Sequence, residues 1–280
     1  MNITETHSLS AHQAKALHTL EAVIDLCEKN GIDYFLAGGT LLGAMRHKGF
    51  VPWDDDIDIC VPRPHYERLL AAASEIEAPY EILHAGNDPE FIYPYAKAYD
   101  SSTTVVENFQ KPFTRGVWVD IFPLDGTFSN KYLRKTQFTL IRKLISILVD
   151  QQQYYKPPQT LAKSLRKKAK TKLFSLIPKS SIIRSINFLC GLKSYSEAKF
   201  ATLLIGKWGN KESAPMAFFS SHQLLKFEHL TAKAPAGADP WLRQVFGDYM
   251  TPPPAAERIP MHAIKHVDLS MPYREFLDKS

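Results

Sequence analysis

Apolar residues recur at helical spacing between positions 11 and 30. Leu17, Leu20, Ile24 and Cys27 fall on one stripe, which predicts an amphipathic helix and places the cysteine in the core. The short apolar run Tyr34 to Ala37 reads as a strand over 33–37. Gly38-Gly39 then breaks the pattern, and Thr40 is placed to cap a helix near 40–46. Further strands are expected near 56–61, 80–84, 93–99 and 116–121. A helix is expected over 64–76, where Pro62-Arg63-Pro64 offers a proline to the first turn. These elements predict an α+β fold, with a mixed β-sheet core flanked by helices through residue 128.

Beyond residue 128 the pattern becomes helical. Phe138, Ile141, Leu144, Ile145 and Leu148 fall at helical spacing, as do Leu161, Leu165, Ala169, Leu173 and Leu176. Pro157-Pro158 and Pro178 separate these helices. The chain therefore divides into a core over 1–128, a helical insertion over 129–210 and a C-terminal segment over 211–280 that returns to the site. In that last segment Trp241 to Tyr249 reads as helix and Thr251 to Pro254 as extended chain. Arg258, His262 and His266 follow at four-residue intervals, which would align them on a helix, although Pro260 opposes one. His262 is a candidate substrate contact on this spacing.

Charge sharpens the division. Between Lys131 and Arg184 lie fourteen lysines and arginines and a single acid, Asp150, so this stretch is +13 within a chain of +5, leaving −8 elsewhere. Lys163, Arg166, Lys167 and Lys170 sit between the apolar positions of the second stripe. Two readings stand: a basic amphipathic surface for an anionic membrane, or a helical subdomain whose lysines simply face water. No readable nucleic-acid-binding motif accompanies the charge, so no nucleic-acid partner is expected. Three cysteines without close spacing give neither a disulfide framework nor a structural zinc site. The polar first ten residues lack a signal-peptide core, and no apolar run reaches about 18 residues, so a cytoplasmic protein is expected, with peripheral contact to the inner membrane face under the first reading.

The candidate chemistry lies in Trp53-Asp54-Asp55-Asp56-Ile57-Asp58-Ile59. On a strand, Asp56 and Asp58 share one face roughly 7 Å apart, while Ile57, Ile59 and Val61 face a core. Like charges that close repel unless a cation sits between them, and a hard divalent ion such as Mg²⁺, or Mn²⁺ in its place, takes such oxygen ligands; the other reading is an acidic turn at a strand start, its aspartates solvated or capping. Upstream, strand, Gly38-Gly39 and the helix started at Thr40 offer bare backbone N–H groups to a phosphate, with Arg46 and Lys48 to neutralise it. Lys97, in Tyr95-Ala96-Lys97-Ala98-Tyr99, reads equally as a further phosphate-binding cation or as a solvated strand lysine.

A strand, Gly-Gly-Thr, a helix and then Asp-x-Asp resembles the core signature of the polymerase-β-like nucleotidyltransferase superfamily. The longer string from Leu36 to Arg63, together with Val117 to Gly126, resembles the LicD family. That family includes bacterial phosphocholine transferases and is related to the fukutin-type transferases. The resemblance covers roughly the first half of the chain, with a weaker echo in Phe246 to Met250, Pro252-Pro253 and Arg258, which makes Arg258 a candidate substrate contact. It implies a nucleotidyltransferase-like fold and transfer of a phospho-alcohol, phosphocholine first, from a CDP-alcohol donor. The acceptor would be a hydroxyl of a glycan or lipid-linked glycan (lipopolysaccharide, teichoic acid or capsule), with release of CMP. It also implies three metal-binding carboxylates. Asp56 and Asp58 hold the paired positions, and Asp120 is the third, with Asp125 its competitor in a turn-like Leu-Asp-Gly. For Asp54 and Asp55 the readings stay open: orienting water, supporting the metal ligands from behind or capping the strand, with Asp55 also a candidate substrate contact. A choline headgroup would suit an aromatic cage, for which Trp53, Tyr93, Tyr95, Tyr99 and Trp118 are available unless they are core. The alternative chemistry is transfer of NMP from a nucleoside triphosphate to a small molecule or protein.

Overall fold

Ser10 and Gln13 open helix α1 (Ala11–Lys29) with a capping box, each accepting from the other's backbone N–H. The Gln13 amide also donates to the carbonyl of Asp54 at 2.8 Å, so the helix start is tied to the acidic loop. The buried stripe of α1 includes Leu17, Leu20, Val23 and Cys27, so the cysteine is a core residue as expected.

The computed structural model describes residues 9–109, 112–152, 174, 176–258 and 264–279. After α1 come β1 (Phe35–Leu36), α2 (Gly38–His47), β2 (Asp58–Pro62), α3 (Arg63–Ala71), β3 (Tyr80–Leu83), β4 (Ala96–Glu107) and β5 (Phe113–Thr127). Then follow α4 (Lys131–Gln152), α5 (Lys179–Cys190), β6 (Phe200–Thr202), β7 (Ala214–Pro215), β8 (His222–Phe227), β9 (Leu230–Pro235), α6 (Ala238–Phe246), β10 (Ile264–Asp268) and α7 (Tyr273–Asp278). Among the described residues the main sheet has eight strands, with β1–β2–β5–β4–β10 in order at its centre. Only the β2–β5 pairing is parallel; the other pairings in this sheet are antiparallel. The fold is α+β. No helix among the described residues is long and apolar enough to cross a membrane.

Several element boundaries depart from the sequence reading. The strand expected over 56–61 starts at Asp58, leaving Asp56 in the preceding loop. The strand expected at 93–99 starts only at Ala96 and runs on to Glu107, 12 residues, and that expected at 116–121 is part of a strand of 15. Both are buried on both faces over most of their length, so apolar–polar alternation does not mark their ends. The helix expected over 64–76 ends at Ala71 and gives way to a 3₁₀ turn at Ala73–Glu75. Thr40 does not cap α2: the cap position is Ala37, and Thr40 is already inside the helix, where its hydroxyl accepts from the Asp58 N–H at 2.8 Å.

Within 129–210, α4 and α5 pack antiparallel around Phe138, Ile141, Ile182 and Ile186. Gln137 and Gln151 on α4 donate to the carbonyls of Leu189 and Ile177, tying the two helices at both ends. Phe200–Thr202, from the same stretch, adds β6 to the sheet against Asp125–Thr127. The second basic stripe expected over 161–176 lies, apart from Phe174 and Leu176, outside the described residues, and so does His262. His266 is not on a helix with Arg258: it lies on β10 and stacks on Phe276, whereas Arg258 ends a 3₁₀ turn.

The loop joining β6 to β7 is organised by the half-buried Arg142 and the buried Glu212. Arg142 on α4 donates to the carbonyls of Gly206 and Lys207, and the Glu212 carboxylate accepts the Trp208 N–H at 3.2 Å. The Glu212 backbone carbonyl accepts from the Trp241 indole at 3.0 Å. Burial pushes the Glu212 carboxyl up to about 8, against the pull of the Trp208 N–H and of Arg142. A folded value above the unfolded one means that stability from the protonated form is full below the unfolded value and is lost as pH rises through the folded one. Glu212→Gln keeps the acceptor oxygen and removes the titration. Urea unfolding should find it more stable than the parent by a few kcal/mol at about pH 8.5, with the gap closing near pH 4.5. Equal slopes of stability against pH in parent and variant would refute the assignment.

Candidate active site

Three adjacent strands place charge in one row. Asp58 on β2 is in register with Asp120 on β5, and Asp120 is in register with Lys97 on β4. Register partners project to the same face, so the three side chains meet above the sheet. Backbone bonds fix the row: the Asp120 N–H donates to Ile57 and the Ala37 N–H to Asp58, at 2.8 and 3.0 Å. The Lys97 ammonium lies 2.9 Å from Asp120 Oδ1. Lys97 is 2% exposed, so it is not a solvated strand lysine.

Asp56, although it precedes the strand, joins Asp58 and Asp120. One carboxylate oxygen from each lies within 4.8 Å of the others. Asp54, Asp55 and Asp56 form a second such group, which Asp56 shares with the first. Asp125 lies elsewhere: both its oxygens face Arg63, at 2.6 Å from Nε and 3.0 Å from Nη2, in a buried bidentate pair that ties the end of β5 to the start of α3. Of the two competitors for the third position, the geometry brings Asp120 to the pair.

Electrostatics around the row are unbalanced. Burial pushes the Asp58 carboxyl well above the usual carboxylate range, and the charges of Asp56, Asp120 and Asp54 push it the same way, while Lys97 pulls it back. Burial works against the Lys97 charge, yet Asp120 and then Glu107 outweigh it and hold the ammonium above its ordinary value. One lysine thus faces several carboxylates. An all-oxygen donor set with surplus negative charge fits a hard divalent cation. The Tyr95 hydroxyl, kept protonated by burial and by Asp120, lies 3.5 Å from Asp120 Oδ2.

The glycine pair serves these carboxylates directly. A Cβ at Gly38 would collide with the Asp58 carboxylate and one at Gly39 with that of Asp54. Gly38 also has φ of +51°, a conformation side chains other than glycine rarely adopt. Gly38, Gly39 and Thr40, read from sequence as a phosphate cradle, thus also hold up the acidic cluster from beneath.

Two cations gather at Trp53, the residue that precedes the acidic run. The Arg46 and Arg258 guanidinium groups lie 5.9 and 5.2 Å from the Trp53 ring centre. Arg46 is anchored to the Tyr249 carbonyl at 2.6 Å and Arg258 to that of Pro253 at 2.9 Å. Burial and the charge of Arg258 both lower the Arg46 value, which shows two like charges held near each other. Lys48 ends α2 in the left-handed conformation, its carbonyl accepting from Glu228. The C-terminal segment therefore reaches the site through Arg258, Tyr249 and Glu228.

The aromatic side chains available for a choline cage are engaged by the protein's own cations. Lys97 Nζ lies 4.2 Å from the Tyr93 ring centre and 4.4 Å from that of Trp118, with Tyr95 at 5.9 Å. Tyr99 is fully buried. Sequence reasoning missed Gln13, whose tether to Asp54 positions the acidic loop; the Ser10-x-x-Gln13 capping signature was the available sign.

Comparison with known proteins gives the family. A family model described as LicD/FKTN/FKRP, nucleotidyltransferase domain, matches residues 31–177, just over half of the chain and spanning every member of the acidic row. The lipopolysaccharide cholinephosphotransferase LicD of Haemophilus influenzae is 28% identical over 264 residues, covering 91% of this chain and 96% of that protein. The ribitol 5-phosphate transferase FKRP of Homo sapiens is 46% identical over 41 residues, 15% of this chain and 8% of its own length. An uncharacterised protein of Rickettsia typhi, RT0683, is 35% identical over 85 residues, 29% of this chain and 25% of that one. With the signature strands, the glycine turn and the three carboxylates in one place, this chain belongs to the LicD/FKTN/FKRP nucleotidyltransferase-domain family.

Proposed function

We propose that this protein is a metal-dependent phosphotransferase that moves a phospho-alcohol group, phosphocholine first, from a CDP-alcohol to a hydroxyl of a cell-surface glycan. The observation that carries the reading is the carboxylate trio Asp56, Asp58 and Asp120, with Lys97 on Asp120 and two guanidinium groups at neighbouring Trp53. Similarity to a cholinephosphotransferase along 91% of the chain supports the same reaction class.

Phosphoryl transfer asks mainly for positioning and charge stabilisation. In this reading Asp56, Asp58 and Asp120 hold Mg²⁺ or Mn²⁺, which when bound neutralises the diphosphate of the donor. Lys97 fixes Asp120 and balances part of its charge. Arg46 and Arg258 attract the diphosphate and stabilise the negative charge that grows on the departing CMP, with Lys48 beside them. The acceptor oxygen forms a new bond to the phosphorus that bears the alcohol. The bond from that phosphorus to the bridging oxygen breaks, its electron pair leaves with CMP, and a carboxylate of the cluster accepts the hydroxyl proton. Asp55 orients the donor from the loop. The filled aromatic cluster around Lys97 directs the search for an alcohol pocket to other surfaces.

The direct test is a thermal-shift titration with Mg²⁺ and CDP-choline, CDP-ethanolamine, CDP-ribitol, CDP-glycerol, CTP or ATP. A Mg²⁺-dependent rise with one CDP-alcohol is expected; a rise with CTP or ATP alone would transfer the site to NMP chemistry.

Asp58→Asn should abolish that rise and cut turnover by at least about a hundredfold. In EDTA the same variant should melt at or above the parent, because it removes a buried charge from a repelling cluster. Retained Mg²⁺ response would remove Asp58 from the metal site. Lys97→Met leaves Asp120 buried without its ammonium, so urea unfolding in EDTA should show a loss of about 3–5 kcal/mol, partly restored by Mg²⁺. A loss that Mg²⁺ leaves unchanged would mean that Lys97 does not share Asp120 with a cation.

A further inference from the structure

We propose that the outer face of α4 and α5 docks on an anionic phospholipid bilayer; it rests on the transferase reading only for its purpose, bringing the site to a lipid-linked acceptor. Of thirteen large apolar side chains exposed among the described residues, eight lie between 132 and 192, so exposure is concentrated on one part of the molecule. Soluble surfaces carry such residues singly, and clustering marks an interaction face. Between the two helices runs an open groove of about 730 Å³, its apolar walls formed by Leu140, Leu144, Phe188 and Leu189. Phe188 is 71% exposed and Leu140 43%. Lys143 and Arg184 also line the groove, and no acidic side chain does.

The charge of the two helices selects the occupant. They hold seven lysines and arginines against one acid, Asp150. A second copy docking through the same face would oppose cation to cation. A nucleic acid would match the charge but leave Phe188 and Leu140 in contact with phosphate and water. An anionic bilayer satisfies both: apolar side chains enter the acyl boundary and the lysines and arginines meet lipid phosphates.

The position is useful as well. Arg184 also lines a neighbouring cleft of about 490 Å³, together with Glu67, His84, Tyr95 and Asn187. The Tyr95 hydroxyl in turn lies 3.5 Å from Asp120. Arg184 thus borders both the groove and this cleft, and Tyr95 borders both the cleft and the acidic row.

Flotation of the full chain with vesicles tests this without substrate, so its outcome is independent of the transferase reading. Binding is expected to phosphatidylcholine vesicles doped with phosphatidylglycerol and not to phosphatidylcholine alone, and it should weaken with salt. Phe188→Glu should weaken it at least about tenfold and Lys143→Gln about fivefold, with unchanged unfolding midpoints. Leu140→Ser provides a second apolar probe should Phe188→Glu fail to fold. Three results would overturn the proposal: no binding by the parent, equal binding to both vesicle types, or binding that survives all three changes. Concentration-dependent dimerisation lost in Phe188→Glu, without vesicle binding, would assign the face to a second copy instead.

Discussion

The parallel pairing of β2 with β5 is the constraint on which the site depends. It is the single parallel contact in the main sheet among the described residues, and it sets Asp58 against Asp120. The antiparallel pairing of β5 with β4 then sets Lys97 against Asp120. A slip of one residue in either ladder would turn one of these side chains to the opposite face. Much of what surrounds the row guards that register: Thr40 holds the Asp58 N–H, Ile57 holds that of Asp120, and Gly38 leaves room for the Asp58 carboxylate.

Such an arrangement concentrates like charge where water is scarce. Asp58 is driven toward its neutral form by burial and by three neighbouring carboxylates, with Lys97 the counterweight. The protein tolerates this because the loop of Asp54 to Asp56 is tied down from outside, by Gln13 at the start of α1 and by the Val51 carbonyl at Asp54. At Trp53, beside the acidic run, Arg46 and Arg258 are held by carbonyls of the C-terminal segment. Negative and positive groups gathered this way are what a metal-bound diphosphate would complement.

The signature from Leu36 to Arg63 was legible because its chemistry is local. A glycine pair, a helix and alternating aspartates write their spacing directly into the sequence, and Cys27 was placed in the core by its stripe alone. Asp120 could be favoured but not paired, since register between strands far apart in sequence leaves no local mark. Lys97 was undecided for a related reason: small flanking residues fit both an exposed edge and a buried interior, and only the neighbouring strand and three aromatic rings choose between them. Thr40 was misread as a cap because residues at a helix start suit that role, while its actual partner, the Asp58 N–H, lies across the sheet. The four-residue spacing of Arg258, His262 and His266 would align them only on a helix, which Pro260 already opposed; Arg258 ends a 3₁₀ turn and His266 lies on a strand.

The Asp58–Asp120 register also has a meaning in time. The two aspartates are 62 positions apart, with α3, β3 and β4 in the chain between β2 and β5. Closing so long a path comes late, because its entropy must be spent before the contact rewards it. Nascent or partly unfolded chains therefore present the Asp54–Asp58 run without its third carboxylate, a weak and solvated acidic stretch. The three carboxylates come together with the finished sheet, so a cation held by the proposed trio would bind the folded chain and not the open one.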